Sequence, residues 1–206
     1  MKDKNKNYIR KDVLIVVDMQ NDFITGKLGT KEAMDILPRV REKIARWQGR
    51  VIYTRDTHLK ETYLKSSVEG SRFPIHCVKG SEGWEVEKSL IGLSKNGETY
   101  IDKYNTFADP MVAMRCSGVD RIEIIGVCTD ICVLSTAIAF RCAHPEIGIY
   151  IDASCCAGTT PAKHRAALDV MRGCCINVIN DYNRKGDNSD ELYSSGTKNE
   201  GNTEKI

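Results

Sequence analysis

The chain has 206 residues, 41% of them hydrophobic and 28% charged, which supports one well-buried domain and is short for two. Its 30 basic and 28 acidic side chains leave a formal charge of +2 spread along the chain, which excludes the basic footprint of a nucleic-acid binder and points to a small partner that is not polyanionic. Nine cysteines, an odd count without regular spacing, argue against a disulfide framework, and no secretory or membrane-spanning stretch is visible, so a reducing cytoplasm is expected and no membrane partner.

Residues 1–12, rich in lysine and asparagine, read as a flexible N-terminus, and a single domain is expected over residues 13–183. The β-branched run 13–17 has the length and composition of a buried parallel strand; it ends on Asp18, with Asp22 and Phe23 just beyond. A turn-rich loop over 24–30 leads into helical periodicity over 31–48, with Met34, Leu37, Val40, Ile44 and Trp47 on one stripe. Pro38 is expected to bend or restart that helix, because it lacks the N–H a helix interior needs. A second strand over 51–54 ends at Arg55-Asp56-Thr57-His58, and residues 59–91 then form a long polar connection of the kind that serves as a lid or binding segment. A short apolar approach at 100–103 delivers Lys103 to a turn, and a short helix is expected over 108–115. Residues 122–127 form the central strand and 132–142 the helix after it; a fifth strand over 147–151, a helix over 161–172 and a last strand over 176–179 follow. Residues 184–206 hold too few apolar side chains to offset their ordering entropy and read as a disordered tail. The βαβα alternation predicts an α/β fold, three layers α/β/α with a mostly parallel central sheet.

The chemistry gathers at strand ends, where open parallel sheets place their sites. Thr129 or Asp130 is the expected N-cap of the helix after the central strand, which puts Cys132 in the first turn, where free N–H groups and the helix dipole favour a thiolate. Asp18 is aimed at the same rim and Lys103 can stabilise the thiolate; together they make a nucleophile, a proton carrier and a counter-charge. Asp56 and His58, two apart on an extended segment, point the same way, and His76 returns after a loop; this donor set suits a divalent transition metal with open positions. Cys128 with Cys132 has neither the spacing nor the companions of a structural zinc pair, and Cys155-Cys156 and Cys174-Cys175 read as small buried residues. With no phosphate loop, nucleotide fingerprint or serine elbow, the reaction must come from Cys132.

The series Val17-Asp18-Met19-Gln20-Asn21-Asp22-Phe23, Arg55-Asp56-Thr57-His58, Pro74-Ile75-His76-Cys77, Lys103 and Gly126-Val127-Cys128-Thr129-Asp130-Ile131-Cys132-Val133 resembles, in order, the isochorismatase-like cysteine hydrolases, and among them the nicotinamidase/pyrazinamidase branch. That resemblance implies a Rossmann-like topology and an amidase that forms a thioester on Cys132, with Asp18 moving the proton and Lys103 holding the thiolate. It further implies an oxyanion hole from the backbone N–H groups of Cys128 and Cys132, with a cis peptide between Val127 and Cys128. Phe23 and Phe73 would flank a flat ring such as that of nicotinamide or pyrazinamide. A bound ion, zinc first and manganese or iron as alternatives, would be held by Asp56, His58 and His76, with Glu69 replacing the third histidine that some members carry. The expected partners are a small-molecule amide and further copies of the chain in a homo-oligomer. A vinyl-ether-cleaving isochorismatase is disfavoured by Cys132, Asp56 and His58. An amidase for a carbamoyl or ureido compound, or a catalytically retired interaction module, are the competing readings.

Overall fold

A computed structural model describes residues 11–66 and 68–182. Six strands, β1 (Asp12–Val17), β2 (Arg50–Thr57), β3 (Glu98–Tyr104), β4 (Arg121–Val127), β5 (Gly148–Ala157) and β6 (Asn177–Ile179), form one sheet in the order β3-β2-β1-β4-β5-β6. Every neighbouring pair is parallel. The helices are α1 (Asn21–Ile24), α2 (Lys31–Arg46), α3 (Lys60–Ser66), α4 (Pro110–Met114), α5 (Leu134–Ala143) and α6 (Pro161–Gly173), with a π-helical turn, Thr129–Val133, leading into α5. Among the described residues no helix is long and apolar enough to cross a membrane. The sequence-predicted terminal segments lie outside the described residues, apart from Lys11 and Asp12, and Asp12 already belongs to β1.

Both faces of the sheet are covered, as the uninterrupted apolar runs of its central strands require. Val13, Ile15 and Val17 of β1 join Ile122 and Ile124 of β4 against Phe140, Leu168 and Met171 on α5 and α6. The alternate residues Leu14 and Val16 join Val51, Tyr53 and Ile125 against Ile36, Val40 and Ile44 of α2. The order along the sheet reverses between β1 and β4, and the crevice at such a switch point is where an open α/β sheet takes its ligand. Gly126 makes this crevice possible: its φ is +120°, and a Cβ there would lie 2.1 Å from the carbonyl oxygen of Val17.

Several local expectations are corrected. The helix over Lys31–Arg46 runs unbroken through Pro38, because Pro38 and Met34 both face solvent, where water can take the carbonyl that proline leaves unpaired. Met34 is therefore off the buried stripe, at 46% exposure, and Ala33, Ile36, Val40 and Ile44 form it. The fifth strand reaches Ala157, so Cys155 and Cys156 are buried strand residues, whereas Cys174 is half-buried and Cys175 exposed at the end of α6, against the expectation for that pair. The long connection over 59–91 holds α3 and three 3-10 turns, Glu69–Ser71, Glu82–Trp84 and Lys88–Leu90. The expected N-cap is also displaced. Cys128 occupies that position, while the Thr129 hydroxyl bonds the ring of His164 and the Asp130 carboxylate accepts from the backbone and hydroxyl of Thr159.

Candidate active site

Three strand ends deliver the reactive side chains. Asp18 follows β1 with φ +50°, Lys103 lies on β3, and Cys132 sits in the π-helical turn after β4. Lys103 Nζ is 2.8 Å from Asp18 Oδ2, both side chains are 0% exposed, and the ammonium also donates to the carbonyl of Phe107 at 3.0 Å. Burial works against the charge on Lys103, but Asp18, Cys132 and Asp56 face it and hold it above the ordinary lysine range. Burial raises Asp18; Lys103 opposes that shift, and the Asp56 carboxylate adds to it.

Cys132 is 6% exposed, and burial pushes its thiol well up; Lys103 pulls the other way, while Asp18 and Asp56 reinforce the rise. The expected bias towards thiolate meets an opposing effect: the π turn replaces a regular helix start, and desolvation of the sulfur works against the single lysine. Cys128, one turn earlier, is also pushed up by burial, to about 12. The peptide between Val127 and Cys128 is cis.

A cavity of about 250 Å³ opens onto Cys132 and Cys128, with Phe23, Phe73 and Phe107 among its walls and Asp56, Glu69 and His76 on one side. That volume is below the roughly 300–1,000 Å³ of pockets for drug-sized ligands and is on the scale of a single small ring. Phe107 and Ile131 were not among the sequence-predicted residues; a phenylalanine in a polar turn carries no periodicity to mark it. Through Phe73, Phe107 and Ile131 the cavity meets an outer cleft that also carries Arg72 and Ser135.

Asp56, His58, Glu69 and His76 converge on one point, with one donor atom from each lying within 4.8 Å of all the others. Asp56 Oδ2 is 3.0 Å from His58 Nε2 and 3.2 Å from His76 Nε2; Glu69 stands farther, 3.9 Å and 3.7 Å from the same two nitrogens. Ligands bound at about 2.0–2.1 Å to one ion stand roughly 2.8–3.4 Å apart in octahedral or tetrahedral geometry, so Asp56 and the two imidazoles fit a transition metal, and Glu69 fits as a more distant, adjustable donor. The second ring nitrogens are already engaged, as metal-binding histidines require: His58 Nδ1 lies 3.1 Å from Asn105 Oδ1 and His76 Nδ1 2.8 Å from the carbonyl of Pro74. Tyr63, buried, packs its ring 4.3 Å from that of His58 and sets its hydroxyl 3.3 Å from His76 Nδ1. Burial works to raise Asp56, but hydrogen bonds from both histidines win and hold it below the usual carboxylate range; Glu69 is raised by burial and by Asp56.

Two side chains bind these pieces together, and neither was assigned a role from the sequence. Gln20 is fully buried; its amide donates to the carbonyls of Asp56 and Trp84 and accepts the N–H of Asp56, so it pairs with β2 as a strand would. Asp22 accepts the N–H of Cys77 at 2.8 Å and so anchors the loop that carries His76.

Sheet order and site together define an open-sheet α/β enzyme with a thiol at its switch point. More narrowly, the chain belongs to the isochorismatase family: the Isochorismatase domain matches residues 12–181. It is 26% identical to a nicotinamidase of Schizosaccharomyces pombe, over 82% of this chain and 92% of that protein. It is likewise 26% identical to a nicotinamidase/pyrazinamidase of Mycobacterium tuberculosis, over 81% of this chain and 97% of the relative. Among solved structures, the pyrazinamidase of Pyrococcus horikoshii in complex with zinc superposes with a TM-score of 0.70 at 28% identity, covering 82% of this chain and 98% of that one.

Proposed function

We propose that this chain is a cysteine amidohydrolase that releases ammonia from a small planar amide, nicotinamide first and pyrazinamide as a close analogue, through a thioester on Cys132. The observation that carries the reading is the buried Asp18–Lys103 pair, which exerts its charge on a thiol at the wall of a cavity sized for one ring. Asp18 takes the thiol proton while Lys103 stays charged, so the sulfur that attacks the amide carbonyl does so as thiolate. Backbone N–H groups of Cys128 and Cys132 receive the oxyanion. Asp18 then hands the proton to the departing ammonia, and afterwards takes one from the water that cleaves the thioester to the acid.

Phe23 and Phe73 supply apolar walls for the ring, and Phe107 adds a third. Asp56, His58 and His76, with Glu69 as the fourth donor, would hold a divalent ion, zinc first and manganese or iron as alternatives; bound there, it supplies Lewis acidity at the cavity wall. The zinc complex of the pyrazinamidase relative supports that assignment. A carbamoyl or ureido compound is the competing substrate class; the aromatic walls Phe23, Phe73 and Phe107 favour a flat ring over it. Ammonia release from nicotinamide, pyrazinamide and a set of carbamoyl compounds tests the choice: hydrolysis of a carbamoyl compound with neither ring amide touched would replace this reading with the competitor.

A further inference from the structure

Thr54 sits on β2 beside the end of β1, opposite Val17, and is 1% exposed. At that depth a valine would fill the same shape, so the hydroxyl is the feature that needs a reason, because a buried O–H must find an acceptor. It finds Asp18: Thr54 Oγ1 donates to Asp18 Oδ1 at 2.7 Å, and the Thr54 carbonyl accepts the Asp18 N–H at 3.2 Å. The second carboxylate oxygen, Oδ2, is held by Lys103. Asp18 has a left-handed backbone, φ +50°, which a non-glycine residue adopts only where its surroundings hold it.

We infer that Thr54 is a positioning residue for the reaction, fixing the orientation of the Asp18 carboxylate that receives the Cys132 proton. This rests on the reading of Asp18 as the proton carrier given above. The groups that face Asp18 are Lys103 from β3, Asp56 from β2, Cys77 from the loop after α3, and Cys128 and Cys132 from the turn after β4. Burial and Asp56 favour the neutral acid; Lys103 and Thr54 are the two donors that oppose them. With Lys103 alone, one oxygen of a buried carboxylate would lack a donor, and the acid would hold its proton to higher pH.

The test compares side chains that differ by the hydroxyl: Thr54→Val against the native chain, and Thr54→Ala against Thr54→Ser. The readout is the pH dependence of Cys132 alkylation by iodoacetamide, followed by mass at the Cys132 peptide, with kcat/KM for nicotinamide as a second measure. Alkylation needs no substrate, so it separates failure of this inference from failure of the proposed amidase activity. The Cys132–Asp18 pair titrates as a unit, and without the hydroxyl the midpoint of its lower limb should move up by about one pH unit. KM should change less than about twofold, and Thr54→Ser should track the native profile. Superimposable profiles for Thr54→Val and the native chain, or for the Ala and Ser variants, would overturn the inference, as would a loss of rate with no shift of the limb.

Discussion

Replacing Lys103 by methionine keeps most of the side-chain volume and removes the charge, so it isolates what the buried ion pair contributes. Asp18 and Lys103 are 2.8 Å apart and 0% exposed, and the lysine also satisfies the carbonyl of Phe107. Removing one partner of such a pair leaves an uncompensated charge and costs about 3–5 kcal/mol, with the orphaned carbonyl adding about 1 kcal/mol. For a domain of this size each kcal/mol lowers Tm by about 2–4 °C, so Lys103→Met should melt roughly 8–24 °C lower at neutral pH. The direction with pH follows from Asp18. Without Lys103, burial and Asp56 raise the Asp18 carboxyl further, so the folded state of the variant prefers the protonated acid and the deficit shrinks as pH falls. Asp18→Asn combined with Lys103→Met removes both charges and should recover most of the loss, because a neutral pair in that volume carries no desolvated ion. The assay is urea denaturation of the two single variants and the double variant at two pH values. A Lys103→Met loss below about 1 kcal/mol, or a double variant no more stable than the single, would refute the reasoning that the pair is dry and coupled.

Cys132→Ala should lower amide turnover by about four orders of magnitude or more, whereas Cys128→Ala should be mild, since alanine supplies the same backbone donor; steady-state kinetics read both, and equal losses would remove Cys132 from its role. Chelation, or His58→Ala with His76→Ala, should abolish hydrolysis of a ring amide while leaving Cys132 open to alkylation. Glu69→Ala, the more distant donor, should weaken metal binding by about 10–100-fold, measured by competition with a chromogenic chelator. Full activity at substoichiometric metal would take the ion out of the mechanism. Burial works to raise Asp152, but Lys43, Ser154 and Asn180 hold its carboxyl below the usual range. A depressed carboxyl contributes stability above its unfolded value of about 3.9 that is lost as pH falls through the lower folded value. Asp152→Asn should therefore lower stability at pH 7 and flatten its dependence on pH below about 4, as read by denaturant titration.

The parts of the site legible in the sequence are those tied to strand ends. An apolar β-branched run that stops at a carboxylate, as 13–17 stops at Asp18, carries both the strand and the rim it points to, and the same logic reached Lys103, Asp56 and His58. What escaped depends on contacts made far along the chain. Thr129 and Asp130 look like N-caps, yet their side chains are drawn to His164 and Thr159, some thirty residues on, and the cap falls to Cys128. A first helical turn and a lysine both bias Cys132 towards thiolate, whereas how deeply packing desolvates the sulfur, which works the other way, is not written in local sequence. Pro38 misleads for the opposite reason, since the solvent on its face of the helix supplies what the missing N–H would have given. Gln20, Asn105 and Tyr63 brace Asp56, His58 and His76 through contacts with partners far along the chain.

The most direct measurement is ammonia release from nicotinamide by the purified, metal-loaded chain, run beside Cys132→Ala and with the protein mass recorded under rapid acid quench. The account predicts steady ammonia release, a transient nicotinoyl adduct located on the Cys132 peptide, and neither signal in the variant. No ammonia from nicotinamide by the intact chain, or undiminished release by Cys132→Ala, would contradict it.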